Sequence, residues 1–237
     1  NDIIFTIIDI KDDIAYLKGI DVRLYADSSL DDLEEADVDY DTNKDRNDAK
    51  KIKDMLNLDR SEYFYLPGKI LHIDGDKDYL RRCIDFYKDM HLEAYGVNLD
   101  EDDFSKEIVT CLEKYNPDIL VITGHDSFKK NKDKSDLANY QNSTNFVKAT
   151  VKAREYERGQ DKLIIIAGAC QSFYEDLIKA GANFASSPKR INIHALDPAI
   201  IASAVALSPK NKEIDLISLL DKTHYGSDGM GGIITNG

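Results

Sequence analysis

Two stretches of the chain carry side chains capable of covalent chemistry. Leu163 to Ser172 reads LIIIAGACQS, and Asp118 to Asp126 reads DILVITGHD. Each opens as the unbroken apolar run that a strand buried on both faces of a parallel sheet requires. Each then passes a glycine and ends on a reactive group, Cys170 in the first and His125 in the second. Ligands of open α/β sheets collect at the carboxyl ends of strands, so a thiol and an imidazole leaving neighbouring strands would share one crevice. A thiol attacks a carbonyl as thiolate, and its ordinary pKa of about 8.5 leaves little of that form at neutral pH. The imidazole can take its proton, and a helix beginning just after Cys170 would favour the anion. Amides around the two turns, at Gly124, Asp126, Gln171 and Ser172, are the expected oxyanion donors.

The other candidates are weaker. Cys83 and Cys111 fall on apolar helical stripes and read as core. His72 interrupts an apolar strand and reads as a satisfied core residue, His91 as a helix-end residue and His224 as surface. His194, in INIHAL, is the rival base: a cysteine hydrolase of the amidotransferase type, with its nucleophile at a strand-to-helix elbow, would draw it from downstream. The run DGDKD at Asp74 to Asp78 resembles the start of a calcium loop, but Tyr79 stands where such a loop needs glycine. No metal or cofactor is expected.

The elements that must position this chemistry alternate regularly. Strands are expected at Lys69 to Ile73, Leu92 to Leu99, before His125, before Cys170 and at Asn183 to Ser187. Helices follow Asp76 and Asp100, span Thr144 to Glu157, and begin at a Ser172/Glu175 capping box and at Asp197-Pro198. This order predicts a parallel sheet with helices on both faces over residues 66–237. Ahead of it lie two or three antiparallel strands in residues 1–26, read as the remnant of a small β-barrel-like module with something missing upstream. An acidic linker with a short helix at Lys50 to Leu58 occupies residues 27–65. The closing GSDGMGGIITNG reads as a loop or hairpin.

The 237 residues carry 44 acidic and 31 basic side chains, a formal charge of −13. That balance opposes binding to nucleic-acid phosphates and suits basic protein partners. No run is long enough to span a membrane. Three cysteines at these spacings form neither a disulfide framework nor a zinc motif, as in a reducing compartment. A catalytically silent acidic module that docks basic proteins is therefore a second reading. The oligomeric state is not written in the sequence.

The blocks GKILHIDGD, DILVITGHD, NSTNFVKA, IIIAGACQS, AGANFASSPKRINIHALDP and GGI resemble the YabG family of sporulation-specific proteases along essentially the whole chain. Histidine preceding cysteine by 45 residues is similar to the caspase, clostripain and gingipain peptidases. The resemblance implies a caspase-like α/β fold, a Cys170/His125 dyad, and processing of spore coat or germination proteins after basic residues, arginine above all. It implies a protein of the sporulating cell's cytoplasm that becomes spore-associated. It departs from the caspase pattern at Asp126, which replaces a glycine whose amide serves the oxyanion. An arginine pocket needs a desolvated carboxylate. Some relatives place it two residues before the nucleophile, where this chain has Gly168. The gingipains draw it from the end of the first strand, which makes Asp74 and Asp76 the first candidates and Asp126 and Asp197 the reserves. A preference for basic residues would also make the Lys129 to Lys134 loop and the linker arginines, Arg46 and Arg60, candidate self-processing sites.

Overall fold

The computed structural model describes residues 3–36, 44–55, 66–210 and 212–235. Its first element group is a small antiparallel sheet of β1 (Phe5–Lys11), β2 (Ile14–Gly19) and β3 (Tyr25–Ser29), in that order. The β1/β2 turn places Asp12 and Asp13 at φ 48° and 64°, the left-handed pair that a two-residue hairpin loop demands and that aspartate tolerates. Alternation along β2 buries Ala15, Leu17 and Gly19, whereas β1 leaves Ile7, Ile8 and Ile10 about half exposed. β3 runs into the stretch expected to be linker. The following helix, α1 (Lys44–Met55), starts earlier than its sequence indicated, and Leu56 to Leu58 of that expected helix lie outside the described residues, as does Arg60.

The larger sheet has six strands in the order β5-β4-β6-β7-β8-β9. They are β4 (Ile70–Asp74), β5 (Ala94–Asn98), β6 (Ile119–Thr123), β7 (Ile164–Ala167), β8 (Phe184–Ser186) and β9 (Met230–Gly232). The first five pair in parallel, and β9 closes one edge antiparallel to β8. Helices α2 (Lys77–Asp89) and α6 (Asp197–Ala206) cover one face, with α7 (Leu216–Leu220) beside them; α3 (Phe104–Tyr115), α4 (Ser143–Tyr156) and α5 (Tyr174–Lys179) cover the other. The double cover explains the apolar runs. Along β6, Ile119 and Val121 enter one core while Leu120 and Ile122 enter the other. Each such side chain contributes roughly 1.5–3 kcal/mol on burial, so either face alone would be too thin.

Two local expectations yield to tertiary structure. Ser172 does not cap α5: its hydroxyl accepts from the Ala169 amide and donates to Asp126, and the helix starts at Tyr174 with no side-chain cap. The glycine-rich end is not a free loop. It forms the short helix α8 (Gly226–Gly229) and then β9, the sixth strand of the sheet.

Candidate active site

The parallel register sets the level of the two reactive groups. Ile122 pairs with Ala167 across β6 and β7, and each strand runs three residues further to its reactive side chain. His125 and Cys170 therefore follow the carboxyl ends of adjacent strands, which lie about 4.8 Å apart. Two glycines shape the exits. Gly168 has φ +110°, and a Cβ there would meet Leu177 and Ser186. Gly124 lies against the Glu101 carboxylate, which accepts the His125 amide at 2.8 Å.

His125 is oriented from its far side. Its Nε2 lies 3.1 Å from Asp76 Oδ2, and the Tyr25 ring packs edge-on against the imidazole at 4.4 Å. A carboxylate only accepts, so in the neutral imidazole the proton sits on Nε2 and the lone pair on Nδ1. That Nδ1 is buried and has no hydrogen-bond partner among the described residues, which makes it the nitrogen available to take a proton. Asp76 also receives the Asp78 and Tyr79 amides as the N-cap of α2, together with Lys18 Nζ and the Tyr25 hydroxyl. Burial pushes its carboxyl up, but His125, Lys18 and the amides prevail and hold it well below the usual carboxylate range.

Cys170 is fully buried. Its sulfur accepts the Ile193 amide at 3.3 Å, and the Arg23 amide lies close enough to act on it. Burial pushes the thiol up to about 12, against the pull of the Ile193 amide and the Arg23 charge. No hydrogen bond joins it to His125 in this arrangement. The amides of the following turn are not free for an oxyanion either: Gln171 donates to Ile191 O and Ser187 Oγ, and Ser172 to Ala169 O. Asp126, buried, accepts from Ser127, Asn142, Ser143 and Ser172, bracing the loop after His125 against α4 and the Cys170 turn. Burial outweighs these bonds and raises its pKa.

The four acids weighed for a cationic pocket separate clearly, Asp126 being committed to the loop and turn contacts just described. Asp74 ends β4 with no exposure and pairs with Arg23 Nη1 at 2.6 Å. It also accepts the Asp76 amide and the Thr123 hydroxyl, each at 2.8 Å. Burial raises its carboxyl, but the Arg23 guanidinium and then His72 bring it down to about 2. Asp76 is committed to His125. Asp197, at the start of α6, accepts the His224 amide and Nδ1 at 2.8 and 2.9 Å.

His224 is an exposed residue, as expected, yet it is tethered. It lies between Asp197 and Asp48 and stacks on His194 with ring centroids 3.5 Å apart. Burial lowers its pKa, and the Asp197 hydrogen bond reverses that and raises it. His194 accepts the Leu196 amide at Nδ1 and turns Nε2 toward Asp21, with neither nitrogen bonded to Cys170. His194, Asp197 and His224 bring donor atoms within 4.8 Å of one another, but the face-to-face rings and the His224–Asp197 bond make this a hydrogen-bonded cluster. His72 is satisfied in the core, as its apolar strand implied. Tyr87 donates to its Nδ1, and its Nε2 donates to Thr123, whose own proton goes to Asp74.

Comparison with known proteins decides the family. The model of the YabG peptidase family, U57, matches residues 1–237. The chain belongs to the YabG peptidase family. It is 40% identical over 263 aligned positions to the sporulation-specific protease YabG of Bacillus subtilis strain 168, covering all of this chain and 91% of that relative. No solved structure matches. As a YabG-family chain it is a peptidase, which sets aside the silent acidic module. Among the described residues no helix is long and apolar enough to cross a membrane. Local patterns did not point to the site roles of Lys18, Arg23 and Tyr25, which reach the site through the docking of the N-terminal strands and the turn between them onto α2, nor to that of Tyr79 on α2 itself.

Proposed function

We propose that this YabG-family peptidase is a sporulation-specific cysteine endopeptidase that cleaves after arginine, with spore coat and germination proteins as its substrate class. Cys170 is the nucleophile, His125 Nδ1 its proton acceptor, and Asp76 the residue that holds the imidazole in the required tautomer. Asp74 is the acid of the primary specificity pocket. Once His125 takes the thiol proton, the thiolate adds to the scissile carbonyl. On this reading the amides of Cys170 and Asp126, which donate to no acceptor among the described residues, receive the oxyanion. Collapse of the adduct sends the proton from His125 to the leaving amine, and water then hydrolyses the thioester.

The observation that carries this reading is the pocket of Asp74, where a desolvated and fully hydrogen-bonded carboxylate at the edge bearing both reactive groups already holds a guanidinium at 2.6 Å. Lysine would lose the fork geometry of that contact and leucine would leave the carboxylate unpaired. The test is hydrolysis of fluorogenic peptides with Arg, Lys, Asp or Leu before the scissile bond. Wild type is expected to prefer Arg, with Cys170→Ala and His125→Ala inactive and His194→Ala active. Asp74→Asn is expected to lose the Arg preference. Full activity in Cys170→Ala or His125→Ala, or undiminished Arg preference in Asp74→Asn, would sink the assignment.

A further inference from the structure

The guanidinium in the Asp74 pocket belongs to the chain itself, and its backbone is presented as a substrate's would be. The turn between β2 and β3 lies along the loop that follows β8. Ala195 N donates to Asp21 O at 2.9 Å and Arg23 N to Ile193 O at 3.4 Å, and Val22 forms an antiparallel bridge with His194. This is strand addition, the way an extended peptide docks on a free backbone edge. Arg23 Nε and Nη2 both donate to Ala195 O, so the pocket satisfies the fork on two sides. α2 clamps the turn from above: Tyr79 donates to the carbonyls of Gly19 and Val22, and Arg82 to that of Ile20. Arg23 and Cys170 meet at Ile193, whose carbonyl accepts the Arg23 amide at 3.4 Å and lies 3.8 Å from the Cys170 sulfur, and both residues are closed to solvent. Leu24, on the departing side, is partly exposed.

On the protease reading above, we propose that Arg23–Leu24 is a self-processing site: the chain binds its own Arg23 in the specificity pocket and cuts the following bond in cis, which opens the cleft to other substrates. The Cys170 sulfur adds to the Arg23 carbonyl carbon, the C–N bond to Leu24 breaks, and His125 delivers the thiol proton to the Leu24 nitrogen. Water then adds to the thioester, giving a carboxylate on Arg23 and returning the thiol. Until that cut, the same contacts exclude every other arginine from Asp74. Nothing comparable surrounds the exposed Lys129 to Lys134 loop.

The test is a time course of the purified chain by mass spectrometry and N-terminal sequencing, run beside hydrolysis of an arginine peptide. A fragment beginning at Leu24 is expected, absent from Cys170→Ala, forming at a rate independent of chain concentration, with peptide hydrolysis rising as the intact chain disappears. Arg23→Gln is expected to lose the cut. Since that change strands the Asp74 carboxylate, Arg23→Lys, which retains the charge, is run with it and is expected to slow the cut. A wild-type chain that hydrolyses the peptide at full rate with Arg23–Leu24 intact overturns the processing site and leaves the protease reading standing. A rate proportional to chain concentration overturns the cis arrangement. A chain that neither cuts itself nor hydrolyses the peptide removes both.

Discussion

Asp76 serves two masters, and the difference between them can be measured. It caps α2 through its oxygens and it holds His125 Nε2. Asparagine caps a helix about as well as aspartate, so Asp76→Asn keeps the start of α2 while removing the charge that fixes the imidazole. By analogy with the orienting acid of a catalytic triad, kcat on an arginine peptide is expected to fall about 100-fold or more, with KM little changed because the Asp74 pocket is untouched. A rise in KM at constant kcat would instead make Asp76 a substrate-binding residue. Cys170 and His125 were visible in the sequence because each interrupts an apolar run at the end where chemistry is expected. Arg23 was not visible. It meets Asp74 across 51 positions of sequence, and no local pattern announces a pairing made by the docking of one sheet on another element's helix.

At the scale of elements, the sheet's apolar strands contain one polar chain, from Tyr87 on α2 through His72 on β4 and Thr123 on β6 to Asp74. His72 is kept neutral, its pKa lowered chiefly by burial. It thus contributes stability above its unfolded value, which is lost as pH falls toward the lower folded one. Thr123→Val keeps the shape and removes the central link, leaving the His72 Nε2 proton without its partner and Asp74 Oδ2 with Arg23 alone. A buried group left unpaired costs about 1–3 kcal/mol, so the urea midpoint is expected to drop accordingly and KM for arginine peptides to rise. An unchanged midpoint would mean that the chain is not contributing. The strands and main helices were legible because a strand covered on both faces must be apolar throughout. The Ser172 cap was misread for a physical reason: the buried Asp126 carboxylate and the Ala169 amide compete for the same hydroxyl and win.

Over the whole molecule, the parallel pairing of β4 to β8 follows from the strand-helix alternation, but the closed cleft depends on how segments distant in sequence are held together. His224 is one such tie, joining Asp48 of α1 to Asp197 of α6, and its glycine-rich surroundings gave no sign of it. Its pKa is raised above the ordinary 6.5, because the Asp197 hydrogen bond and charge, with Asp48, outweigh burial. The imidazolium is thus favoured in the folded state, and its contribution is fully present below the unfolded value of 6.5 and disappears as pH rises through the higher folded one. Asp74 behaves oppositely: its carboxyl is lowered to about 2, so its contribution is intact at neutral pH and lost only in strong acid. Between mildly acidic and mildly alkaline pH, the His224 tie therefore changes while the Asp74 pair does not. Comparing urea midpoints of wild type and His224→Gln across that range isolates it. The wild type is expected to exceed the variant most at the acidic end, and the gap to shrink as pH rises. A gap that stays constant or widens would show that His224 acts through its stacking on His194 rather than through its charge.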